Sequence, residues 1–113
     1  MNDKKLFALG IPTYKRPGLA LNLLKQAIDL DLFDEIILSS NSQEPLISEF
    51  VSKLCTSKVT FYQQSENVGL SGNYLKILDL CKSKYILFMS DEDTLISTNI
   101  QKLKKHLHQL DAG

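Results

Sequence analysis

Residues 84–94 read Lys-Tyr-Ile-Leu-Phe-Met-Ser-Asp-Glu-Asp-Thr, an apolar run that ends in three consecutive acidic residues. The run over residues 85–90 predicts a strand that is buried on both faces, as strands of parallel sheets commonly are. Three adjacent carboxylates repel one another, so a nearby cation would stabilise the turn. Mg²⁺ and Mn²⁺ prefer such oxygen ligands and often share them with substrate phosphates. The stretch therefore indicates a metal-dependent site for a diphosphate at the carboxyl end of a central strand.

A second interpretation of the acidic turn needs no ligand, because acidic residues are common in turns and near helix N-termini. The chain supplies its own comparison in Asp29-Leu30-Asp31, a second Asp-x-Asp at the end of a predicted helix. That copy is expected to be solvated. An Asp-x-Asp pattern alone is thus weak, and the buried strand before residues 91–93 is what gives them weight.

Length and composition indicate one soluble globular domain. The chain has 113 residues, of which 43% are hydrophobic and 23% charged, and its formal net charge is zero. A nucleic-acid-binding domain normally shows a basic stripe or a high pI, so no nucleic-acid partner is expected. No apolar run approaches the roughly 20 residues needed to cross a bilayer.

The N-terminus and the cysteines favour a cytoplasmic location. The first residues carry charge and are followed by only a brief apolar segment, which is not a signal-peptide core. Cys55 and Cys81 stand singly, without the spacing of metal ligands. They are expected to be buried or half-buried free thiols in a reducing compartment.

Strand and helix patterns alternate four times along the chain. Continuous apolar or β-branched runs predict strands at residues 6–11, 36–39, 58–62 and 85–90. Helical spacing predicts helices at residues 19–30, from Pro45 onward, after Gly69, and at residues 97–110. The third helix is expected to turn Leu70, Tyr74, Ile77, Leu78 and Cys81 inward, and the last helix Ile100, Leu103, Leu107 and Leu110.

Such alternation predicts an α/β fold, an open and mostly parallel sheet of about four strands with right-handed crossovers and helices on both faces. Ligands of these sheets bind beyond the carboxyl ends of the strands, where the strand order reverses. Three strand ends carry unusual residues, at positions 12–16, 39–42 and 91–93. We expect them to converge on one rim.

Each rim residue has a binding and a structural interpretation. Tyr14 could stack on a planar base and Arg16 could meet a phosphate, or Tyr14 caps the core and Arg16 is solvated. The small polar residues around Asn67, Gly69 and Ser71 precede a predicted helix, whose N-terminal N–H groups could receive an anion. Equally, Ser71 is a suitable N-cap and Gly69 a suitable turn residue.

The last helix has a basic flank formed by Lys102, Lys104, Lys105, His106 and His108. Such a flank is usually a solvated face, and peripheral contact with an anionic membrane surface is its second interpretation. Other nucleotide and metal motifs do not match. The chain has neither a P-loop nor a Gly-x-Gly-x-x-Gly after the first strand, and the acidic turn lacks the Gly and closing Glu of an EF-hand.

Three linked motifs resemble family 2 glycosyltransferases of the GT-A fold. They are Gly-Ile-Pro-Thr-Tyr-Lys-Arg-Pro at residues 10–17, Glu-Asn-Val-Gly at residues 66–69 with Gly72-Asn73, and the acidic strand at residues 85–93. Their order and spacing match over essentially all of residues 1–113. The resemblance implies a Rossmann-like donor-binding domain for a nucleotide-diphosphate sugar, a UDP-sugar first of all, together with Mg²⁺ or Mn²⁺.

The resemblance also implies a role for each matched position. Pro12, Thr13 and Tyr14 would hold the nucleobase, and Arg16 would lie towards the diphosphate. Asn67 and the segment from Gly69 to Asn73 would border the ribose and phosphates. Asp93 would be the main metal ligand, and Asp91 and Glu92 would contact ribose or complete the metal shell. The metal would stabilise the departing nucleoside diphosphate, and the sugar's anomeric carbon would be inverted.

The chain departs from the family pattern at the end of the second strand. The family usually has one or two Asp residues there, one of which contacts the base, whereas this chain has Ser39-Ser40-Asn41. Ser40 or Asn41 could substitute as hydrogen-bond partners. The commoner acidic motif also starts one residue earlier, at the position of Ser90.

The family's acceptor site and general base normally follow in a further stretch of chain, so no catalytic base is expected within residues 1–113. The first hypothesis is therefore the donor-binding half of a bacterial-type glycosyltransferase. Its acceptor would be a glycan or a lipid-linked molecule in polysaccharide biosynthesis. The alternative is a nucleotide or nucleotide-sugar binding module that does no chemistry.

Overall fold

The computed structural model describes residues 5–112, which form four parallel strands and four helices in strict alternation. The strands are β1 (Phe7–Thr13), β2 (Glu35–Ser40), β3 (Val59–Gln63) and β4 (Tyr85–Phe88). The helices are α1 (Pro17–Leu30), α2 (Pro45–Ser52), α3 (Gly69–Leu80) and α4 (Ser97–Ala112). All eight predicted elements are present, and the α/β prediction is confirmed.

The sheet order is β3-β2-β1-β4, and every neighbouring pair is parallel. The chain thus steps from β1 to β2 to β3 in one direction and then returns past β1 to form β4. Right-handed crossovers in opposite directions place their helices on opposite faces of a sheet. The reversal lies between β1 and β4, which is where ligands bind in open α/β sheets.

Helices cover both faces of the sheet unequally. The main core joins Leu9 and Ile11 of β1 to Leu23 and Leu24 of α1, and it extends to Ile100 of α4. On the opposite face α3 lies close enough that a Cβ on Gly10 would meet Cγ2 of Ile77 at 2.8 Å. A glycine in β1 therefore lets α3 approach the sheet.

β1 continues past Pro12, although the sequence predicted that proline would end it at Ile11. The main-chain oxygen of Gly10 accepts from the N–H of Met89, and that of Thr13 accepts from Asn41 on the opposite side. Main-chain groups alternate in direction along a strand, so Pro12 faces the β4 side beyond the last residue of β4. Its missing N–H therefore costs no ladder bond.

β4 is an edge strand, and the prediction that it is buried on both faces is wrong. All four of its residues, from Tyr85 to Phe88, are only partly buried. Since α3 packs mainly over β1 and β2, it covers β4 incompletely. The Tyr74 and Phe88 rings meet edge to face, with centroids 4.7 Å apart, at this partly covered margin.

Some predicted inward positions are exposed. Leu70 and Leu78 of α3 are 67% and 49% exposed, because the buried stripe of this helix is centred on Asn73 and Ile77. Leu110, near the end of α4, is 53% exposed. Cys55 is exposed, contrary to the prediction, whereas Cys81 is half-buried as expected.

Candidate functional site

The ends of β1 and β4 are joined through Thr13 and Asp91. The Thr13 hydroxyl donates a hydrogen bond of 2.7 Å to Oδ2 of Asp91, and the Asp91 residue is only 2% exposed. The bond crosses the reversal in strand order, since β1 and β4 pair only as far as Gly10 and Phe88. The bond holds Asp91, the first acidic residue of the turn, below the rim and away from bulk water.

Arg16 joins the start of α1 to the same acidic turn. Its Nη2 lies 3.0 Å from Oδ1 of Asp91, and its Nη1 lies 3.6 Å from Oε2 of Glu92. The Arg16 side chain is half-exposed, whereas that of Asp91 is fully buried. A buried carboxylate needs such partners, because an unpaired charge away from water is costly.

A cleft of about 210 Å³ opens beside Arg16 at the carboxyl ends of β1 and β2. Most of the residues predicted to bind the nucleotide line it: Pro12, Thr13, Tyr14, Arg16, Asn41, Asn67, Gly69 and Asn73, together with Leu70. The Tyr14 side chain is partly exposed, at 40%. Arg16 therefore separates the cleft from the acidic turn and contacts both.

Asn41 ties the end of β2 to the start of α3. Its amide nitrogen donates to the main-chain oxygen of Gly69 at 2.9 Å, and its Oδ1 accepts from the N–H of Val68 at 3.3 Å. Gly69 has a φ of +78°, a left-handed conformation that favours glycine. Both ends of the Asn41 side chain thus hold the wall of the cleft.

Asn73 fastens α3 to the two central strands. Its amide nitrogen donates to the main-chain oxygens of Ser39, at 2.9 Å, and Thr13, at 3.3 Å. The sequence identified Asn73 only as a ligand-binding position and missed this structural role. The available signal was its spacing, because Asn73 lies four residues before the buried Ile77 on the same helix face. Oδ1 of Asn73 and Oγ of Ser39 are buried and have no hydrogen-bond partner within the described range.

Ser40 lies below the rim and is not among the residues that line the cleft. It is fully buried, and its hydroxyl donates to the main-chain oxygen of Ser42 at 2.7 Å. Oγ of Ser42 in turn accepts from the N–H of Lys15 at 3.2 Å. Lys15 has a φ of 55°, a strained conformation for a residue with a side chain. The turns after β1 and β2 therefore brace one another directly before Arg16.

Glu92 and Asp93 complete the acidic turn on its outer side, and both are exposed. Oδ2 of Asp93 accepts from the N–H of Ser90 at 2.8 Å, which closes a short turn. Across residues 5–112, no group of three or more His, Cys, Asp or Glu side chains is placed to hold a metal ion. A Mg²⁺ site commonly uses one or two carboxylates and completes its shell with substrate phosphates and water. In this turn, the carboxylates of Glu92 and Asp93 are exposed and are of the ligand type that such a site uses, whereas both oxygens of Asp91 have partners.

The other Asp-x-Asp behaves as the sequence predicted. Asp29 and Asp31 are exposed at the C-terminal end of α1, and Asp31 pairs with Lys58 at 2.9 Å. The Lys58 ammonium lowers the pKa of Asp31 below its ordinary value, through a hydrogen bond and its charge. His106 and His108 are also exposed, as expected, on α4.

A second cleft of about 270 Å³ lies at the opposite end of the sheet. Its lining is largely apolar, with Phe33, Ile36 and Val59, and Asp31 and Lys58 also contribute to it. Although it is the larger cleft, it lies away from the carboxyl ends of the strands, where ligands of open α/β sheets bind. The rim cleft beside Arg16 is therefore the candidate site.

The three predicted strand ends do converge at this rim. Thr13 contacts Asp91, and the N–H of Asn41 donates to the main-chain oxygen of Thr13 at 3.0 Å. The sequence profile of the family described as "Glycosyl transferase family 2" matches residues 9–113. The chain belongs to glycosyl transferase family 2. A comparison with curated proteins gave no match.

Solved structures support the fold of this family 2 glycosyltransferase chain. The structure of S. aureus TarS 1–349 superposes with a TM-score of 0.75 at 15% identity, covering 92% of this chain and 32% of that one. The mannosyltransferase PcManGT from Pyrobaculum calidifontis, in complex with GDP-Man and Mn²⁺, gives a TM-score of 0.73 at 12% identity. That match covers 89% of this chain and 32% of PcManGT. The chain thus spans about a third of the length of each.

In the part of the chain that the structure describes, no helix is both long enough and apolar enough to cross a membrane.

Proposed function

We propose that residues 1–113 form the donor-binding domain of an inverting family 2 glycosyltransferase. The donor is a nucleotide-diphosphate sugar, bound with Mg²⁺ or Mn²⁺, and the acceptor is a glycan or a lipid-linked molecule. The observation that supports this most directly is the position of Arg16. It lines the cleft at the carboxyl ends of β1 and β2 and also pairs with two of the three carboxylates in the acidic turn. A guanidinium at that point suits a diphosphate, which it can bind through two parallel hydrogen bonds.

Different residues of the cleft bind different parts of the donor. Pro12, Thr13 and Tyr14 take the nucleobase, and the half-exposed Tyr14 ring offers a stacking surface. Asn67 and the first turn of α3, from Gly69 to Asn73, border the ribose and phosphates, since the N-terminus of a helix favours anions. The N–H of Gly69 itself already donates to Oδ1 of Asn67 at 2.9 Å. The cleft of about 210 Å³ is smaller than the roughly 300–1,000 Å³ of most complete ligand pockets, so it suits part of the donor.

Asp93 and Asp91 are the proposed metal ligands, and Glu92 and Asp91 the proposed contacts to ribose. When bound, the cation would supply Lewis-acid stabilisation of the nucleoside diphosphate that leaves. Arg16 adds a second positive charge on the diphosphate side, where negative charge increases as the glycosidic bond breaks. Thr13 and Arg16 hold the Asp91 carboxylate in position beneath the rim.

The side chains at the end of β2 do not select one nucleobase. The side chains of Ser40 and Asn41 already have partners in the scaffold, so neither is poised as a base contact. UDP-sugars remain the first candidates. GDP-sugars are the second, because the similar PcManGT was solved with GDP-Man and Mn²⁺.

The alternative function is a non-catalytic binding module. It is supported by the rim carboxylates, each of which already has a partner. Asp91 is buried and paired, Glu92 faces Arg16, and Asp93 closes a turn. A general base would therefore come from a further stretch of chain.

The free thiols of Cys55 and Cys81 support a proposed cytoplasmic location. Contact of the exposed basic flank of α4 with an anionic membrane is proposed as its second role.

A melting experiment with a panel of nucleotide-sugars tests the donor site. Each UDP-, GDP- or TDP-sugar is added together with Mn²⁺. The concentration of the nucleotide-sugar is about ten times the dissociation constant expected for the matching donor. The matching donor is expected to raise the melting temperature by about 5 °C. If no nucleotide-sugar raises it in the presence of metal, the proposed donor site is wrong. Sugar transfer from the matching donor, measured with the domain joined to the stretch of chain that carries the general base, then separates the enzyme from the binding module.

A further inference from the structure

The contacts of Asp91 leave neither of its carboxylate oxygens without a hydrogen-bonding or ionic partner. Oδ2 accepts from the Thr13 hydroxyl at 2.7 Å, and Oδ1 lies 3.0 Å from Nη2 of Arg16 and 3.5 Å from Oγ of Ser90. The Asp91 side chain is fully buried, so water does not compete for these oxygens. In this arrangement Arg16 provides the positive charge that a divalent cation would otherwise provide.

The guanidinium of Arg16 also faces a second carboxylate, Oε2 of Glu92 at 3.6 Å. The single positive charge of Arg16 is thus shared between two of the three acidic residues in the turn. The contact with Glu92 is the weaker of the two, because the Glu92 side chain is 64% exposed and such ion pairs are screened by water.

The main chain at Arg16 is held by its neighbours, while the Arg16 side chain is half-exposed. Lys15, directly before it, is fixed in a left-handed conformation and donates its N–H to Oγ of Ser42. The main-chain oxygen of Arg16 accepts from the N–H of Ala20 in the first turn of α1. The Arg16 side chain is 48% exposed, and the same residue lines the cleft. Side-chain rotation alone could therefore redirect the guanidinium from the carboxylates towards an anion in the cleft.

We infer that Arg16 is the resident counter-ion of the acidic turn and exchanges its partner when the donor binds. A diphosphate in the cleft draws the guanidinium away from Asp91 and Glu92, and these carboxylates then accept a divalent cation. A cation arriving alone must compete with Arg16 and binds weakly. This inference rests on the proposed donor site and adds to it an order of binding, nucleotide before metal. Because the coupling is reciprocal, the metal strengthens nucleotide binding by the same factor.

Titration of Mn²⁺, with free Mn²⁺ measured by electron paramagnetic resonance, tests the counter-ion role without nucleotide. The proteins are the unmodified 113-residue chain, Arg16→Gln and the control Lys15→Gln. Lys15 is the adjacent cation, and its ammonium lies over the Tyr14 ring, 5.2 Å from the ring centroid. Arg16→Gln is expected to bind Mn²⁺ about tenfold more tightly than the unmodified chain, and Lys15→Gln within about twofold of it. Equal affinities in the two variants would overturn the inference.

Addition of GDP or UDP to both the unmodified chain and Arg16→Gln tests the exchange, because phosphates that share the metal raise the Mn²⁺ affinity even without a movement of Arg16. The nucleotide is expected to raise the Mn²⁺ affinity about tenfold, and the rise should be smaller in Arg16→Gln. A nucleotide that binds yet leaves the Mn²⁺ affinity unchanged, or raises it equally in both proteins, would overturn the exchange while leaving the donor site standing. Absence of binding by any nucleotide-sugar would instead remove the proposed function, and the metal titrations alone would then decide whether Arg16 is the counter-ion.

Discussion

The Thr13 hydroxyl and the Asp91 carboxylate, 78 positions apart in the chain, meet at 2.7 Å and join the two strands that flank the reversal of the sheet. The position of Asp91 therefore depends on a side chain of β1 as well as on β4, the strand that precedes it. Arg16, three residues after Thr13, completes the arrangement through Oδ1. One buried carboxylate thus links the cleft, the start of α1 and the acidic turn.

Replacement of Thr13 by Val is expected to destabilise the protein by about 2 kcal/mol, because a hydrogen bond to a buried charged group is lost. Urea denaturation measures the change. Thr60→Val provides a matched control, since Thr60 is exposed on β3 and its loss should change stability by less than about 0.5 kcal/mol. Equal stabilities of the Thr13 and Thr60 variants would contradict the energetic role given to this bond.

Replacement of Gly10 by Ala is expected to destabilise the protein by about 1–3 kcal/mol, because the packed face has no room for a methyl group. The added Cβ would lie 2.8 Å from Ile77, 3.0 Å from Ile86 and 3.1 Å from Phe88. Gly18→Ala is the opposite case, since a Cβ there meets nothing within 4 Å and Gly18 lies in α1. It should stabilise the protein by up to about 1 kcal/mol. Thermal denaturation measures the stability of both variants. If both were destabilised, or both stabilised, the packing of α3 against Gly10 would be contradicted.

Replacement of Glu35 by Ala is expected to destabilise the protein by about 3 kcal/mol. The buried Oε1 of Glu35 accepts from the N–H of Lys82 at 2.8 Å and from the hydroxyl of Ser83 at 2.6 Å. Removal of the carboxylate leaves these donors, which precede β4, without their acceptor. Glu49→Ala, at an exposed position of α2, should cost only about 0.5 kcal/mol through its pair with Lys53. A chemical denaturation series in which both variants unfold alike would refute the anchoring role of Glu35.

The two thiols are expected to react with a disulfide reagent at different rates, Cys55 first because it is exposed. Burial raises the pKa of the Cys81 thiol above its ordinary value, and the nearby Glu35 carboxylate adds to this rise. Only the thiolate reacts, so Cys81 in a Cys55→Ser variant should require a higher pH when folded than when unfolded in urea. For the same reason, stability should fall as the pH rises above the pKa of the unfolded thiol. Identical pH profiles in the folded and unfolded chain would contradict this environment.

Local patterns in the sequence were sufficient to predict the succession of strands and helices. Apolar runs marked the strands, and Pro17 marked the start of α1, where it occupies the first turn. The order of strands in the sheet was not encoded in those patterns. The apolar run of β4 could therefore not be recognised as an edge strand, and Leu70 and Leu78 of α3 were wrongly assigned to the core.

The convergence of the rim could be predicted because parallel strands place their carboxyl ends together. The pairing of the rim side chains could not. The bonds from Thr13 and Arg16 to Asp91 depend on β1 lying beside β4, a relationship between distant segments. The double donation by Asn73 likewise depends on α3 crossing above β1 and β2.

Calorimetric titration of the matching nucleotide-sugar, with Mn²⁺ present, tests whether Asp93 holds the metal for donor binding, in three proteins: the unmodified chain, Asp93→Ala and Asp29→Ala. Asp29 belongs to the solvated Asp-x-Asp of α1 and is the matched control. We expect a dissociation constant on the order of 0.1–1 mM for the unmodified chain and for Asp29→Ala, and loss of Mn²⁺-dependent binding in Asp93→Ala. Undiminished Mn²⁺-dependent binding in Asp93→Ala would contradict the account.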